Sequence, residues 1–373
     1  MAAMVPGQAG AGEARGHYFQ GPPRRKPARA KARAGHVPVA EAPGPPRMSK
    51  TIPEGTADAE ATPRAGRVAL VGRPNVGKST LLNALLGEPI AIISPHPQTT
   101  REVVRGILTV RNAQCVFVDT PGVHAPRTRL GRWMNEAANE AAREADVLVL
   151  VAEVPQAKDS ARDLRPDPAD LKLAAELPSA RTVLCLNKVD RIKDKGRLLP
   201  LIAAFSRACP FAATVPMSAK REQGVEALLE EVRALLPEQP FLFEPDTLSD
   251  QPVRFFVAEF VREQILQQTK QEVPHGVAVV VERFDEGGNI VQIEATVHVA
   301  RESHKRILVG ARGSMMKNIG IAARQRVETM IERRVNLRLW VRVTPGWMEN
   351  AERLRELGYS PPQRGEPEVA PDR

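Results

Sequence analysis

Between residues 68 and 236, short apolar runs alternate with stretches of helical period. The runs at 68–71, 103–110, 115–118, 147–152, 182–186 and 213–215 have the length and β-branched content of strands. Apolar spacing of three and four predicts helices near 79–86, 130–143, 169–177, 197–208 and 225–236. Alternation of this kind predicts a mostly parallel sheet with helices on both faces. The strongest run, at 147–152, is far shorter than the roughly 18 to 20 residues needed to cross a bilayer and fits a buried strand. Beyond a stretch with four prolines at 237–252 the pattern changes. A helix at 253–268 leads into strands 277–284 and 290–300, joined through Gly287-Gly288-Asn289. A short helix (303–308), a glycine loop, a long helix (314–334) and a strand (337–343) follow. That order, α-β-β-α-α-β, defines a second, smaller α+β domain.

The first 65 residues lack any such periodicity. Rich in Pro, Gly, Ala and Arg, they read as a disordered basic arm. The remaining bounds are a first domain at 66–238, a linker at 239–252, a second domain at 253–345 and a C-terminal tail at 346–373. Met48 lies just ahead of the foldable part, so the arm is either an upstream start with Met48 as initiator or an Arg-rich organellar transit segment. Scarce serine and several prolines favour the first. Composition adds little: 373 residues, 42% hydrophobic and 26% charged, describe ordinary globular protein, while 33 prolines and 4% aromatic residues fit a chain of which part never packs. Cys115, Cys185 and Cys209 have neither CxxC spacing nor an even count, which argues for buried thiols in a reducing compartment.

Charge changes the picture more. The formal net charge is +9, unevenly placed. Residues 301–344 hold eleven Lys or Arg against three Glu, inside a foldable stretch, whereas the eight basic residues of 1–47 lie in the arm. Only the folded block can present its charges in fixed geometry, as a surface whose cations displace counterions from a polyanion.

Gly72-Arg73-Pro74-Asn75-Val76-Gly77-Lys78-Ser79 matches the phosphate loop G-x-x-x-x-G-K-[ST], directly after a strand and opening a helix, with Thr80 next. Its glycines let backbone N–H groups converge on phosphate oxygens, Lys78 neutralises the β and γ charges, and the Ser79 hydroxyl can bind Mg²⁺. Asp119-Thr120-Pro121-Gly122 ends the next core strand, placing Asp119 where it can hold the metal through water and Gly122 where its N–H can sense a γ-phosphate. Asn187-Lys188-Val189-Asp190 ends another strand. Asp190 can accept both N–H groups of a guanine edge, with Asn187 and Lys188 supporting the ring; adenine would leave that carboxylate unpaired. Ser218-Ala219-Lys220 can supply a backbone N–H to the guanine oxygen. In the loop between, Gln98-Thr99-Thr100-Arg101 offers Thr100, with Thr99 as fallback, as the hydroxyl that completes the metal shell only when a γ-phosphate is present. The sites therefore read as a guanine-nucleotide pocket for GTP or GDP with Mg²⁺, with Lys78, Thr100 and Asn75 as the catalytic candidates.

Many switch GTPases orient the attacking water with a glutamine where this chain has Val123. Valine has no hydrogen-bonding group, so slow intrinsic turnover is expected, with water placed by backbone, another loop, a partner or a monovalent cation. Asn75 is either a holder of K⁺ near the phosphates or a simple loop hydrogen bond. His96 and His124 read as solvated loop histidines, since phosphoryl transfer relies on positioning and charge.

Gly310-Ala311-Arg312-Gly313 lies inside the basic block between two predicted helices. Within α-β-β-α-α-β order, a G-x-x-G loop is the clamp of a KH domain, whose glycines admit the backbone of single-stranded RNA. Arg312 and Lys317 then face phosphate, and Ile307, Val309 and Ile319 could line a base groove, with core packing the role expected of at least two of them. Trp340 and Trp347 read as packing residues.

Gly-Arg-Pro-Asn-Val-Gly-Lys-Ser-Thr at 72–80, Gln-Thr-Thr-Arg at 98–101, Asp-Thr-Pro-Gly-Val-His at 119–124, Asn-Lys-Val-Asp at 187–190 and Ile-Gly-Ile-Ala-Ala-Arg at 319–324 together resemble the Era family of GTPases over about residues 66–360. The resemblance implies an α/β P-loop NTPase domain of the TRAFAC type followed by a type II KH domain. It implies a GTP hydrolase that binds the 3′ end of small-subunit (16S) ribosomal RNA, through Gly310, Ala311, Arg312, Gly313, Lys317 and Ile319, and acts in 30S subunit assembly with GTP regulating the grip. It also implies a cytoplasmic monomer with peripheral inner-membrane association. The long arm and the Ala311-Arg312 pair, where Lys-Gly is usual, depart from the pattern. Two alternatives stand beside this reading: an RNA-binding assembly chaperone with incidental turnover, and a mitochondrial homologue of the same family.

Overall fold

The computed structural model describes residues 18–20, 62–123, 125–155, 164–269 and 273–361. Most of the expected basic arm, His124 and the end of the tail lie outside them. Eleven strands and nine α-helices occur among the described residues.

The first layer system is a six-stranded sheet in the order β3-β4-β2-β5-β6-β7. Its strands are β2 (Arg64–Val71), β3 (Val104–Val110), β4 (Ala113–Asp119), β5 (Val147–Glu153), β6 (Thr182–Asn187) and β7 (Ala213–Pro216). All neighbours are parallel except β3, which runs antiparallel to β4 along the edge. Residues 147–152 of β5 are buried throughout, as a strand covered on both faces requires. On one face lie α1 (Lys78–Leu86) and α5 (Val225–Leu235), burying Leu81, Leu82 and Leu228. On the other, α3 (Pro168–Glu176) and α4 (Leu198–Ala208) cover Leu148, Leu150 and Leu184. Helix α2 (Arg129–Glu144) begins at Thr128, whose hydroxyl accepts the Gly131 N–H at 3.0 Å. All three cysteines are buried and free, and burial pushes the Cys115 thiol up to about 12.

The second domain packs α6 (Val253–Gln268), α7 (Glu302–Val309) and α8 (Ser314–Ile331) against a three-stranded sheet of β9 (Val277–Asp285), β10 (Ile290–Val299) and β11 (Arg334–Val343). Strand β10 is antiparallel to β9 and parallel to β11. Its core is Val261, Ile265, Ala295, Val297, Leu308, Ile319 and Ala323 with their neighbours.

One expected bound shifts, and the linker and tail carry structure of their own. The arm does not run to 65: β2 begins at Arg64, and Tyr18–Gln20 forms β1, antiparallel to β8 (Thr247–Pro252). The linker is not structureless. Strand β8 lies along the β3 edge, where Ser249 Oγ donates to the Arg105 carbonyl, Gln251 Nε2 donates to the Val103 carbonyl at 3.2 Å, and Arg105 pairs with Asp250 at 2.6 Å. Side-chain bonds substitute there for the apolar alternation that the sequence TLSDQP lacks. Nor is the tail loose up to residue 361. Trp347 is fully buried and stacks on Tyr359 at 5.8 Å, α9 (Ala351–Glu356) buries Leu354, and these residues pack with Leu130 and Met134 of α2.

Candidate nucleotide site and nucleic-acid interface

Three loops meet at the carboxyl ends of β2, β4 and β6, the place where open α/β sheets form their ligand crevice. Gly77 caps α1 with φ of +106°, and a Cβ there would lie 2.3 Å from Asn187 Nδ2, so only glycine permits the approach. Asn187 itself is a bracket. Its Nδ2 donates to the Val76 carbonyl at 2.9 Å, while its Oδ1 accepts the N–H of Lys188 at 2.7 Å and of Ala219 at 2.9 Å. Lys188 reaches across to donate to the Asn75 carbonyl at 2.5 Å and pairs with Glu153 at 2.6 Å. Burial alone would raise the Glu153 carboxyl, but Lys188 and Arg191 hold it below the usual carboxylate range.

Ser79, Thr100 and Asp119 converge on one small site. Ser79 Oγ lies 2.6 Å from Asp119 Oδ2 and 2.9 Å from Thr100 Oγ1, and Thr100 donates to Asp119 Oδ2 at 3.3 Å. The fallback Thr99 turns away, bonding Ser94 Oγ at 2.8 Å and the His96 carbonyl at 2.6 Å. Asp119 is fully buried, and its Oδ1 has no hydrogen-bond partner. A lone buried carboxylate oxygen beside two hydroxyls fits a hard, oxygen-loving cation such as Mg²⁺, and no partner among the described residues replaces it. Burial pushes the Asp119 pKa up against the pull of Lys78, Ser79 and Thr100. Lys78 is also buried, which lowers its pKa despite Asp119 and Asp170; its Nζ donates to the Gly72 and Arg73 carbonyls at 3.1 Å each. Thr80 follows in α1, half-buried.

At the base end, Ser218 Oγ donates to Asp190 Oδ1 at 2.6 Å and holds that carboxyl below its ordinary value, ionised and ready to accept. The Ala219 N–H is engaged by Asn187, and Lys220 is exposed. Asn75 is exposed with φ of +64°, and its side-chain amide donates to the Pro95 carbonyl at 3.2 Å, so in this arrangement it serves the loop hydrogen bond. Gly122 lies against the backbone of Pro74, and the Val123 N–H donates to the Gly72 carbonyl at 3.3 Å.

One brace was invisible in the motif. Arg73 forms a fork with Asp170 (Nε–Oδ1 2.7 Å, Nη2–Oδ2 3.1 Å) and pairs with Asp167 at 2.9 Å, tying the phosphate loop to the start of α3. The variable position of the motif gave no hint, because both partners lie more than ninety residues away.

In the second domain, Gly310 (φ +70°) and Gly313 (φ +79°) flank Ala311 and Arg312, the latter itself left-handed. A Cβ on Gly310 would lie 2.7 Å from Met315 Cβ. Ala311, Arg312 and Lys317 are exposed. Ile319 is not part of that surface: it is fully buried, on the α8 stripe with Ala323 and Val327 that faces the sheet. The exposed apolar side chains near the loop are instead Ile307 and Ile321. Trp347 packs as expected, but Trp340 is 45% exposed on the uncovered face of the sheet.

A guanine-type pocket on a mostly parallel sheet, continued by a KH module, makes this chain a two-domain P-loop GTPase. The family model for a 50S ribosome-binding GTPase matches residues 67–188, and the KH domain model matches 272–348. Among curated relatives, the GTPase Era of Geobacter metallireducens is 44% identical, over 80% of this chain and 98% of its own length. That of Ruminiclostridium cellulolyticum is 40% identical, over 79% of this chain and 97% of its own. Two solved structures superpose with a TM-score of 0.74 at 36% identity, covering 80% of this chain and 99% of theirs: Aquifex aeolicus Era bound to GDP.AlF4−, and Era in complex with MgGDPNP and nucleotides 1506–1542 of 16S ribosomal RNA. The chain belongs to the Era family of GTPases and is a GTP hydrolase.

Proposed function

We propose that the chain is a nucleotide-gated RNA-binding factor of the small ribosomal subunit: it grips the 3′ end of 16S ribosomal RNA through its KH domain, with GTP setting the strength of the grip, and acts in 30S assembly. The observation that carries this reading is the meeting of Ser79, Thr100 and Asp119 around an unpartnered carboxylate oxygen. A bound Mg²⁺ supplies charge neutralisation at the β- and γ-phosphate oxygens. Ser79, Thr100 and Asp119 would hold it; Lys78 neutralises the phosphates; backbone N–H groups of 75–80 cradle them; Asp190 recognises guanine with Asn187 holding the walls together. Thr100 is on a loop and can leave when the γ-phosphate does, which makes it the switch. A relative bound to MgGDPNP and 16S nucleotides 1506–1542 supports both ligands, and the half-buried Gly310 and Gly313 with the exposed Ala311, Arg312 and Lys317 supply the RNA contact here.

Cytoplasmic location and a monomeric state follow from the family resemblance. A peripheral inner-membrane contact belongs to the same reading; no helix among the described residues is long and apolar enough to span a bilayer. K⁺ stimulation through Asn75 requires that side chain to release Pro95. The test is the affinity of an oligoribonucleotide carrying the 16S 3′ end, measured with a non-hydrolysable GTP analogue and with GDP. At least tenfold tighter binding with the analogue is expected, and equal binding ends the gating idea. Val123 favours a second reading, an RNA chaperone with incidental turnover, because its side chain cannot orient water. If a Lys78→Ala chain supports 30S assembly as well as the parent, that reading replaces the first.

A further inference from the structure

The loop that carries Thr100 is fastened at its other side to the KH domain. Arg101, the next residue, is buried and donates from Nη1 to the Val277 carbonyl at 2.5 Å and from Nη2 to the His275 carbonyl at 3.0 Å, with its guanidinium 5.8 Å from the centre of the Trp347 ring. Earlier in the same loop, the Ile93 N–H donates to Glu263 Oε1 of α6 at 3.1 Å, and the Pro89 carbonyl accepts from Arg326 Nη2 of α8 at 2.7 Å. Arg326 also pairs with Glu263 and lies 4.3 Å over the Phe260 ring. Glu263 is almost fully buried, and burial pulls the Arg326 guanidinium down to about 10.

These contacts end on both arms of the RNA-facing hairpin. The 275–277 strip packs against α7: a Cβ on Gly276 would lie 3.2 Å from His304 Nδ1, and α7 runs directly into Gly310. Helix α8 starts one residue after Gly313 and carries Arg326, about 18 Å along its axis from that start. A hydroxyl that moves with the γ-phosphate is thus one residue from a guanidinium seated in the KH domain.

We propose that residues 88–101 are the physical link between the two ligands: Arg101 and the Glu263–Arg326 pair hold α7 and α8 in one orientation only while Thr100 is seated beside Ser79 and Asp119. The proposal rests on the gating read above and names its moving part. The contacts are directional, buried at Arg101–Val277, partly buried at His275 and Ile93 and exposed only at Pro89, so a shift of the loop of a few ångströms forfeits them outright rather than weakening them by degrees. Arg101 and Arg326 are positioning residues; neither touches nucleotide.

The experiment uses the full chain with labels at two exposed sites, Lys172→Cys in α3 and Gln325→Cys in α8, the native cysteines being buried. The distance between spin labels is measured with the GTP analogue and with GDP, alongside affinity for the 16S 3′-end oligoribonucleotide. In the parent, the analogue should give one narrow distance and GDP a displaced or broadened one. Arg101→Ala should give the GDP-type distribution in both states and bring the analogue-to-GDP ratio of RNA affinities within about twofold of one, while the chain still binds GTP. Arg326→Gln should act in the same direction and more weakly, which guards against a folding defect in the first variant; melting curves check both. A distance that ignores nucleotide in the parent, or that responds to it equally in both variants, overturns the link. A distance that follows Arg101 while RNA binds equally in every state leaves the link standing and removes the RNA gating on which the function was built.

Discussion

The loop at 72–79 and the loop at 310–313 both turn into a helix through left-handed glycines, and they are held in opposite ways. The first is braced from outside: Arg73 by Asp167 and Asp170, the Val76 carbonyl by Asn187, the Asn75 carbonyl by Lys188. The second is held within its own hairpin, by the Gly310 N–H on Arg306 and the Gly313 N–H on Gly310, with Arg312 in solvent. The difference follows from the ligands. A nucleotide has one shape, so preorganised walls give selectivity, whereas an RNA strand is met by charge and by close backbone approach. Substitutions in the first loop's surroundings should therefore damage fold and selectivity together, and those in the second should damage binding alone.

The largest effect is expected at the base-recognition end. Asp190→Ala removes a carboxylate already ionised and aimed by Ser218. Two charge-assisted bonds to the guanine edge would be lost, so the preference for GTP over ATP should fall on the order of a thousandfold in a competition assay. A preference that survives would mean the pocket selects by shape, and the contrast between braced and open loops would lose its chemical basis.

Next is Arg73→Ala. Asp170 has a side chain only 1% exposed, and burial already raises its pKa against the pull of Arg73. Losing the fork strands that carboxylate, at a cost of about 2 to 3 kcal/mol once the partial exposure of Arg73 is allowed for. Thermal melting of the first domain should drop by several degrees even without nucleotide. Arg312→Ala is the matched change in the open loop. Its melting curve should overlay the parent's, while affinity for the 16S 3′-end oligoribonucleotide falls about tenfold and the slope of log affinity against log salt decreases by about one. If the two variants behaved alike in melting, the two loops would not differ in the way described.

Much of this was readable beforehand, for a physical reason. The segments at 72–80, 119–122, 187–190 and 218–220 each put several ligand-facing groups on a few consecutive residues, and strands buried on both faces announce themselves as apolar runs. What stayed hidden was contact between distant charges. Nothing in the sequence near Arg73, Arg101 or Arg326 says whether a guanidinium meets solvent or a partner on another element, as Asp170, Val277 and Glu263 prove to be. Ile319 follows the glycine loop and so reads in sequence as part of the RNA surface, yet the α8 stripe through Ala323 and Val327 takes it inward, and Ile321 stands exposed instead. Strand β8 and the docking of α9 are not legible in the sequence because they rest on side-chain bonds and scattered large residues rather than on a regular apolar period.

The smallest effect tests the seam between the two regions. Glu102 follows Arg101 and is pushed up to about 7, chiefly by burial and then by Glu259, against the pull of Arg262 and Arg101. With an unfolded value near 4.3, its carboxyl is protonated in both states at low pH and costs nothing there. Between about pH 4.5 and 7 the unfolded chain ionises it while the folded chain resists, so stability falls through that window and the full cost is present above 7. Glu102→Gln removes the ionisation. The variant should match the parent in melting temperature near pH 5 and exceed it near pH 8, by about 1 kcal/mol after allowance for its partial exposure. A gap of the same size at both pH values would show that the substitution acts by packing, and that the seam holds Glu102 for its shape and not in spite of its charge.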